Sequence, residues 1–168
     1  YYRLRSVSGR DQFFSTFQRF FQALDGSRGD MLAEVASRAG RQKILYLEVM
    51  QSLGMFEVAQ KAQSHGDLDA PFGSRVDHSM IEAEVAKVVK RLDQIEARRD
   101  ALLGCGSNSA QQSEGCSVEV RYLAQVIREL SPIEVYAQAL LAFKLIESDV
   151  RVVGLNFVAP EDSRVALR

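Results

Sequence analysis

The sequence lacks an excess of either charge, and it lacks any long apolar run. Lysine and arginine total 21 and aspartate and glutamate total 22, so the net charge is −1 at pH 7. Without a basic excess, no nucleic-acid partner is expected. No apolar run approaches the roughly 20 residues that a bilayer span requires, so we also expect no membrane span. Residues 1–5, YYRLR, show neither an initiator methionine nor the apolar core of a signal peptide, which predicts a processed or truncated piece.

Residue types that bind zinc are also scarce, with two cysteines and two histidines in the chain. Cys105 and Cys116 lie in one polar stretch, residues 104–116, and no histidine lies nearby at ligand spacing, which argues against a zinc site there. The two cysteines flank a flexible loop. They either close it as a disulfide in an oxidising compartment or are unrelated thiols of a cytosolic protein. We favour the disulfide, with Cα atoms within about 7 Å, and with it a periplasmic or secreted location over a cytoplasmic one.

The sequence does contain enough apolar material for one ordinary domain, since 46% of its 168 residues are apolar. Three apolar segments predict strands at about residues 43–50, 118–127 and 150–157. Their near-continuous apolar character indicates burial on both faces of a sheet. Helical patterns lie between successive strands, so we expect an α/β fold whose strands are parallel and adjacent in that order.

Two of the predicted helices have distinctive patterns. The first runs from about residue 10 to 24 after a capping Ser8. Its apolar face consists of Phe13, Phe14, Phe17, Phe20, Phe21 and Leu24. That face is typical of a core-facing helix, or alternatively of a lid whose aromatic side chains line an apolar pocket. The second is the longest helix, opened by the capping box Ser79-x-x-Glu82 and ending near Gly104. Asp30 is expected to cap another helix.

The last predicted strand ends in a polar turn. Ala159 and Pro160 stop it, because proline has no N–H for the ladder, and Glu161 and Asp162 follow at once. In β/α folds, the loops at the carboxyl ends of the strands converge on one pocket and carry the chemistry. The two acids therefore indicate either part of a functional site or a turn without function.

Four segments resemble the adenosine deaminase family, in the order in which that family carries them. Residues 152–161, VVGLNFVAPE, resemble the strand written V-V-G-[IF]-D-L-A-G-D-E, and residues 46–49, YLEV, resemble the Y-[VL]-E-[VL] of the second barrel strand. Residues 121–128 resemble the third strand, which starts with arginine and ends in an apolar-arginine pair. Residues 11–17, DQFFSTF, resemble the F-L-x-x-F helical segment after the first strand. The secreted adenosine deaminase-like growth factors belong to the same superfamily.

The resemblance implies a (β/α)8 TIM barrel in which zinc activates a water that attacks C6 of adenosine. Residues 1–168 would form part of it, from the end of the first β/α unit through the fourth strand, with a helical insertion at about 65–116. The family holds zinc with a His-x-His, a later His and a late Asp, and a His-x-x-Glu assists proton transfer. Because His65 and His78 match none of these motifs, the zinc would bind elsewhere in the parent protein. The isolated chain is then expected to bind no catalytic zinc and to lack deaminase activity.

The same resemblance implies where a purine nucleoside would bind. Phe13, Phe14 and Phe17 match the family's apolar lid over the nucleoside. Ala159 stands where the family has a glycine whose N–H meets a purine ring nitrogen, and Glu161 matches the acid that ends the motif.

Three positions depart from the family pattern. Asn156 replaces an aspartate, Pro160 replaces the second acid, and Met50 replaces an arginine that often follows the second strand's glutamate. These departures bear on purine specificity more than on the fold.

Two classes of function follow from these observations. The leading expectation is a zinc-dependent hydrolytic deaminase acting on adenosine or a related purine nucleoside, completed by the remainder of its own barrel. The alternative is a non-catalytic relative that binds a nucleoside, or binds a protein partner through the long inserted helix.

Overall fold

The computed structural model describes residues 8–24, 26–64, 71–106, 112–164 and 166. Within them, the elements in chain order are α1 (Gly9–Leu24), α2 (Arg28–Arg41), β1 (Tyr46–Gln51), α3 (Met55–Ser64), α4 (His78–Leu103), β2 (Glu119–Ile127), α5 (Pro132–Ser148) and β3 (Val152–Val158). Short 3-10 turns occupy Phe72–Arg75 and Glu114–Ser117. Residues 65–70, which include His65, and residues 107–111 of the predicted insertion lie outside the described residues.

The three strands form one parallel sheet in the order β1-β2-β3, which confirms the predicted direction and neighbour order. In the register of this sheet, Glu48 lies beside Arg121 and Gln125 beside Asn156. Because all strands run the same way, their carboxyl ends meet at one edge. The chain is therefore an α/β fold with a small parallel sheet.

The sheet is covered on one face, so the prediction that its strands are buried on both faces is wrong. Alternate residues of β2 (Val120, Tyr122, Ala124 and Val126) are buried, and the residues between them are partly exposed. On the covered face α5 packs on β2 and β3, α3 and α4 pack against α5, and α2 packs on α4. The apolar runs were mistaken for two-sided burial because Leu123 and Ile127 lie on the partly exposed face.

Two of the predicted helix caps are wrong, and one is confirmed. The side chain of Asp77, not Ser79, caps α4, since its carboxylate accepts a 2.8 Å hydrogen bond from the Ser79 backbone N–H. Ser27 precedes α2, and Asp30 lies in its first turn, where it binds Arg98 at 2.8 Å. Ser8 does cap α1, because its hydroxyl accepts a hydrogen bond from the Asp11 N–H. In α4, an acid two residues earlier takes the capping position. In α2, the predicted capping acid lies inside the helix and binds an arginine of α4 instead. The local sequence pattern revealed neither.

The core is closed by a charged network at the amino end of β3. Tyr122 is fully buried, and its hydroxyl donates a 3.0 Å hydrogen bond to Glu96 on α4. Arg151 binds that same carboxylate at 2.9 Å, and it also binds Asp149 at 2.6 Å and Asp93 at 2.8 Å. The network joins β2, β3 and α4, which helps to align the sheet under the helices.

The two cysteines form a disulfide with Cα atoms 5.5 Å apart, as predicted. It joins the end of α4 to the Glu114–Ser117 turn, and that turn packs tightly on α2. A Cβ on Gly40 would lie 2.5 Å from the Glu114 carbonyl carbon, and a Cβ on Gly115 would lie 2.8 Å from the Ser37 nitrogen. Both glycines are therefore needed for the contact, through which the disulfide holds α2 in place.

None of the helices in the described part of the chain is both long enough and apolar enough to cross a bilayer. The longest, α4, has 26 residues and carries charged side chains along its outer face.

Replacing both cysteines with serine should lower the free energy of unfolding. The disulfide joins residues 11 positions apart. Closing a loop of that size restricts the unfolded chain, and the lost entropy stabilises the fold by about 3 kcal/mol. Urea unfolding of the wild type and the double variant would measure the loss. The reduced wild type is the control and should match the variant; equal stability of the oxidised and reduced proteins would contradict the prediction.

Replacing Asp149 with asparagine should destabilise the fold at neutral pH and matter less in acid. Hydrogen bonds from Arg151 hold the pKa of Asp149 below its ordinary value of 3.8. The stabilisation is therefore present above that value and is lost as the pH falls through the lower folded-state pKa. We expect a loss of about 1–3 kcal/mol at pH 7, measured by urea unfolding over a pH series.

The matched control for Asp149 is Asp93→Asn, because Asp93 binds the same guanidinium but is largely exposed. Its effect should be smaller. A difference between Asp149→Asn and wild type that stays constant from neutral pH into acid would contradict the prediction.

Candidate functional site

A cleft of about 770 Å³ opens at the carboxyl ends of the three strands. Its volume falls within the range of small-molecule sites, and its lining is largely apolar. One wall comes from α1, a second from α2 and α3, and the floor from the strand ends and the residues just after them. The cleft therefore lies where the parallel arrangement of the strands brings their ends together.

The α1 wall is aromatic. Phe13 packs edge to face on Phe14 and on Phe17, with ring centroids 5.2 and 5.1 Å apart. All three line the cleft, yet Phe13 is 58% exposed and Phe17 50% exposed. The core-facing interpretation of this helix therefore does not describe these side chains. The three phenylalanines lie at the carboxyl end of the sheet, the position that the alternative lid interpretation of this helix requires.

The segment after β3 lines the cleft through Ala159 and Pro160. Ala159 has φ +81°, the left-handed region that glycine adopts freely and that residues with a Cβ disfavour. The strained residue therefore stands at a bend that glycine would fit without cost. The structure thus brings Ala159 and the three phenylalanines to the same cleft.

The floor carries three carboxamides, one from each strand: Gln51, Gln125 and Asn156. Gln51 accepts a 2.8 Å hydrogen bond from Arg28, and Gln125 accepts a 2.6 Å hydrogen bond from Ser52. Carboxamides both donate and accept hydrogen bonds without titrating, so this floor suits a neutral polar ligand.

Sequence reasoning missed Gln51 and Gln125. Both interrupt apolar strands close to their carboxyl ends, and that position was the signal that could have identified them. Asn156 was identified only as a departure from the family pattern. Its amide nitrogen lies 2.9 Å from the sulfur of Met50. Two of the three residues that depart from the family pattern therefore contact each other.

Glu161 does not line the cleft. Its carboxylate binds the guanidinium of Arg128 at 3.0 Å, and its side chain is 81% exposed. Arg128 also donates a 2.7 Å hydrogen bond to the carbonyl oxygen of Phe157. The ligand contact expected for Glu161 stays a prediction, and in this structure Glu161 pairs with the arginine that also binds the end of β3.

The described residues do not supply a zinc site. Among them, no three His, Cys, Asp or Glu side chains come together in a group that could hold a metal ion. Glu129 is the one acid among the cleft residues described, both cysteines are in the disulfide, and His78 begins α4 away from the cleft lining. The zinc of the deaminase family would need ligands from elsewhere.

Replacing Ala159 with glycine should stabilise the protein. Relief of the left-handed strain outweighs the greater freedom of glycine in the unfolded chain, so we expect a gain of about 0.5–1 kcal/mol in the free energy of unfolding. The control is Ala97→Gly on the exposed side of α4, which should lose about 1 kcal/mol. Urea unfolding measures the free energy of unfolding of both variants. A lower value than wild type for Ala159→Gly as well as for Ala97→Gly would show that the bend is not strained.

Comparison with known proteins found no match to this chain among family models, curated proteins or solved structures. A function is therefore inferred from the geometry of the cleft and from the four segments that resemble adenosine deaminases.

Proposed function

We propose that this chain forms the ligand-binding wall of a purine nucleoside deaminase of the adenosine deaminase type. The observation that carries the proposal is the left-handed backbone of Ala159 opposite the aromatic wall. The resemblance assigns that position to a glycine, and it assigns Phe13, Phe14 and Phe17 to the lid. The resemblance rests on residue types and contains no information on backbone conformation. The glycine-like conformation of Ala159, in the cleft that the same phenylalanines line, is therefore separate support for the proposal.

A purine nucleoside fits the chemistry of this cleft. The flat apolar base stacks on the phenylalanine rings, and such stacking is worth about 1–3 kcal/mol per base. The backbone N–H of Ala159 is the proposed donor to a ring nitrogen. The carboxamides of Gln51, Gln125 and Asn156 pair with the remaining ring or ribose groups, since amides match both donors and acceptors.

The proposal includes a (β/α)8 barrel of which these three strands are a part. Parallel sheets are normally covered on both faces. Here the face that carries Tyr46, Glu48 and Met50 is open, and the side chains of Tyr46 and Met50 are about half exposed. Among the described residues, the outer edges of β1 and β3 are also unpaired. Further parallel strands of the same protein would pair with both edges and cover the open face.

The proposed zinc is held by residues outside those described, and no step of the hydrolysis is assigned to this chain. Its residues bind and orient the nucleoside and exclude water from the base. The Cys105–Cys116 disulfide supports an oxidising, periplasmic or secreted location as part of the same proposal.

The contact between Met50 and Asn156 favours a second candidate function. Both are neutral where the family has charged residues, and they touch each other on the floor of the cleft. A relative that has lost catalysis but still binds a nucleoside would keep the aromatic wall and tolerate such a change.

Replacing Phe17 with alanine should weaken nucleoside binding more than it weakens the fold. Because Phe17 is half exposed, the free energy of unfolding should fall by less than about 1.5 kcal/mol, against about 3–5 kcal/mol for a buried phenylalanine. Loss of base stacking should raise the KM for adenosine, or its Kd, about tenfold. Urea unfolding and adenosine titration of the full-length protein measure the two effects.

Phe20→Ala is the matched control, since Phe20 lies on the same helix, is 57% exposed and does not line the cleft. It should leave adenosine binding unchanged. A large loss of stability with unchanged KM for Phe17→Ala would return α1 to the core and overturn the proposal. Adenosine binding by zinc-loaded protein without ammonia release would select the non-catalytic alternative.

A further inference from the structure

One charged contact ties α1 to the segment after β3. The Nε and Nη2 atoms of Arg10 lie 3.0 and 2.8 Å from the same carboxylate oxygen of Asp162. Arg10 is at the start of α1, and Asp162 is the third residue after Ala159, so the contact joins the α1 wall to the segment that follows the floor residue Ala159. Among the described side chains, no other ion pair joins α1 to another element.

Arg10 also contacts the aromatic wall. The carbon at the centre of its guanidinium lies 5.7 Å from the centroid of the Phe14 ring, within the range of a cation–π interaction. Phe14 in turn packs against Phe13, and the centroids of the Phe14 and Phe17 rings are 6.4 Å apart. Arg10 therefore contacts a ring that itself contacts the other two phenylalanines.

Part of the described apolar face of α1 is weakly attached. Phe13, Phe17 and Phe20 are each at least half exposed, so these three side chains bury little apolar surface. Gly26, at φ +84°, lies between α1 and α2. A helix of 16 residues is close to the length at which an isolated helix is marginal in water. One contact at its first turn can therefore change how firmly the whole helix is held.

We propose that Arg10 and Asp162 are positioning residues that hold the aromatic wall of α1 against the Ala159 end of β3 and so set the width of the cleft. Neither residue is among those that line the cleft. They act through Phe14 on one side and through the turn after Ala159 on the other. The link between this contact and nucleoside affinity rests on the proposed function, whereas the link between the contact and the attachment of α1 does not.

The first test is hydrogen exchange of the α1 backbone amides without any ligand. In Asp162→Asn and Arg10→Gln, exchange across α1 should be about two- to fivefold faster, because a weakly held helix of this length unwinds when it is released. The conservative variants Asp162→Glu and Arg10→Lys should restore most of the wild-type protection. Raising the salt concentration should speed exchange in the wild type and not in Asp162→Asn, since exposed ion pairs are screened.

Asp11→Asn is the matched control. Asp11 also contacts Arg10, at 3.2 Å, but it lies on α1 and bridges nothing. Glu161→Gln is a second control, since it removes the neighbouring acid that binds Arg128 instead. Glu161→Gln should leave α1 exchange unchanged, and Asp11→Asn, which removes an acid from the first turn of α1, should speed it less than Asp162→Asn does. Exchange in Asp162→Asn no faster than in these controls would overturn the proposal.

The second test is the Kd for adenosine of the full-length protein with the same variants. We expect Asp162→Asn to weaken binding about two- to fivefold and Asp162→Glu to restore it, with the Asp11→Asn value equal to wild type. Faster α1 exchange with an unchanged adenosine Kd would overturn the positioning role while leaving the proposed function intact. Absence of adenosine binding in the wild type would overturn the proposed function, and the attachment of α1 would still be decided by exchange.

Discussion

The arrangement of the cleft depends on the two parallel pairings of β2. Because β2 pairs with β1 on one side and β3 on the other, in the same direction, all three carboxyl ends lie at one edge of the sheet. Gln51, Gln125 and Asn156 line the same cleft for this reason, although they are far apart in sequence. The buried residues of β2 hold the sheet under α5, so the floor of the cleft rests on the best-packed part of the molecule.

The two walls of the cleft are held with different firmness. The α2 wall is fixed from behind, where the disulfide turn packs on α2 through Gly40 and Gly115 at distances that leave no room for a side chain. In the α1 wall, Phe13 and Phe17 are at least half exposed, and among the described side chains the ion pair that joins this helix to another element is the exposed contact of Arg10 with Asp162. Segments with few buried contacts open locally at low cost in free energy. A firm wall and a weakly held wall on opposite sides suit a site that must admit a ligand and then cover it.

Several local rules are broken close to the cleft. Ala159 adopts a conformation suited to glycine, and large aromatic residues face water. The aspartate cap of α4 and the neutralised charges around Arg151 keep these rules. Departures also occur away from the cleft, where Lys43 has φ +61° and Val150 is largely exposed. Departures of this kind concentrate at functional sites, where the surrounding structure maintains the strain.

The sequence by itself determined the order and type of the elements, the parallel sheet, the disulfide and the aromatic face of α1, because each depends on local periodicity or on a short loop. It did not determine which face of the sheet is covered, since Leu123 and Ile127 are apolar on the open face as well. Only the tertiary structure decided that Gln51 and Gln125 line one cleft, that Glu161 binds Arg128, and that Arg10 binds Asp162. Contacts between residues this distant in sequence depend on strand register and helix packing, which no single segment encodes.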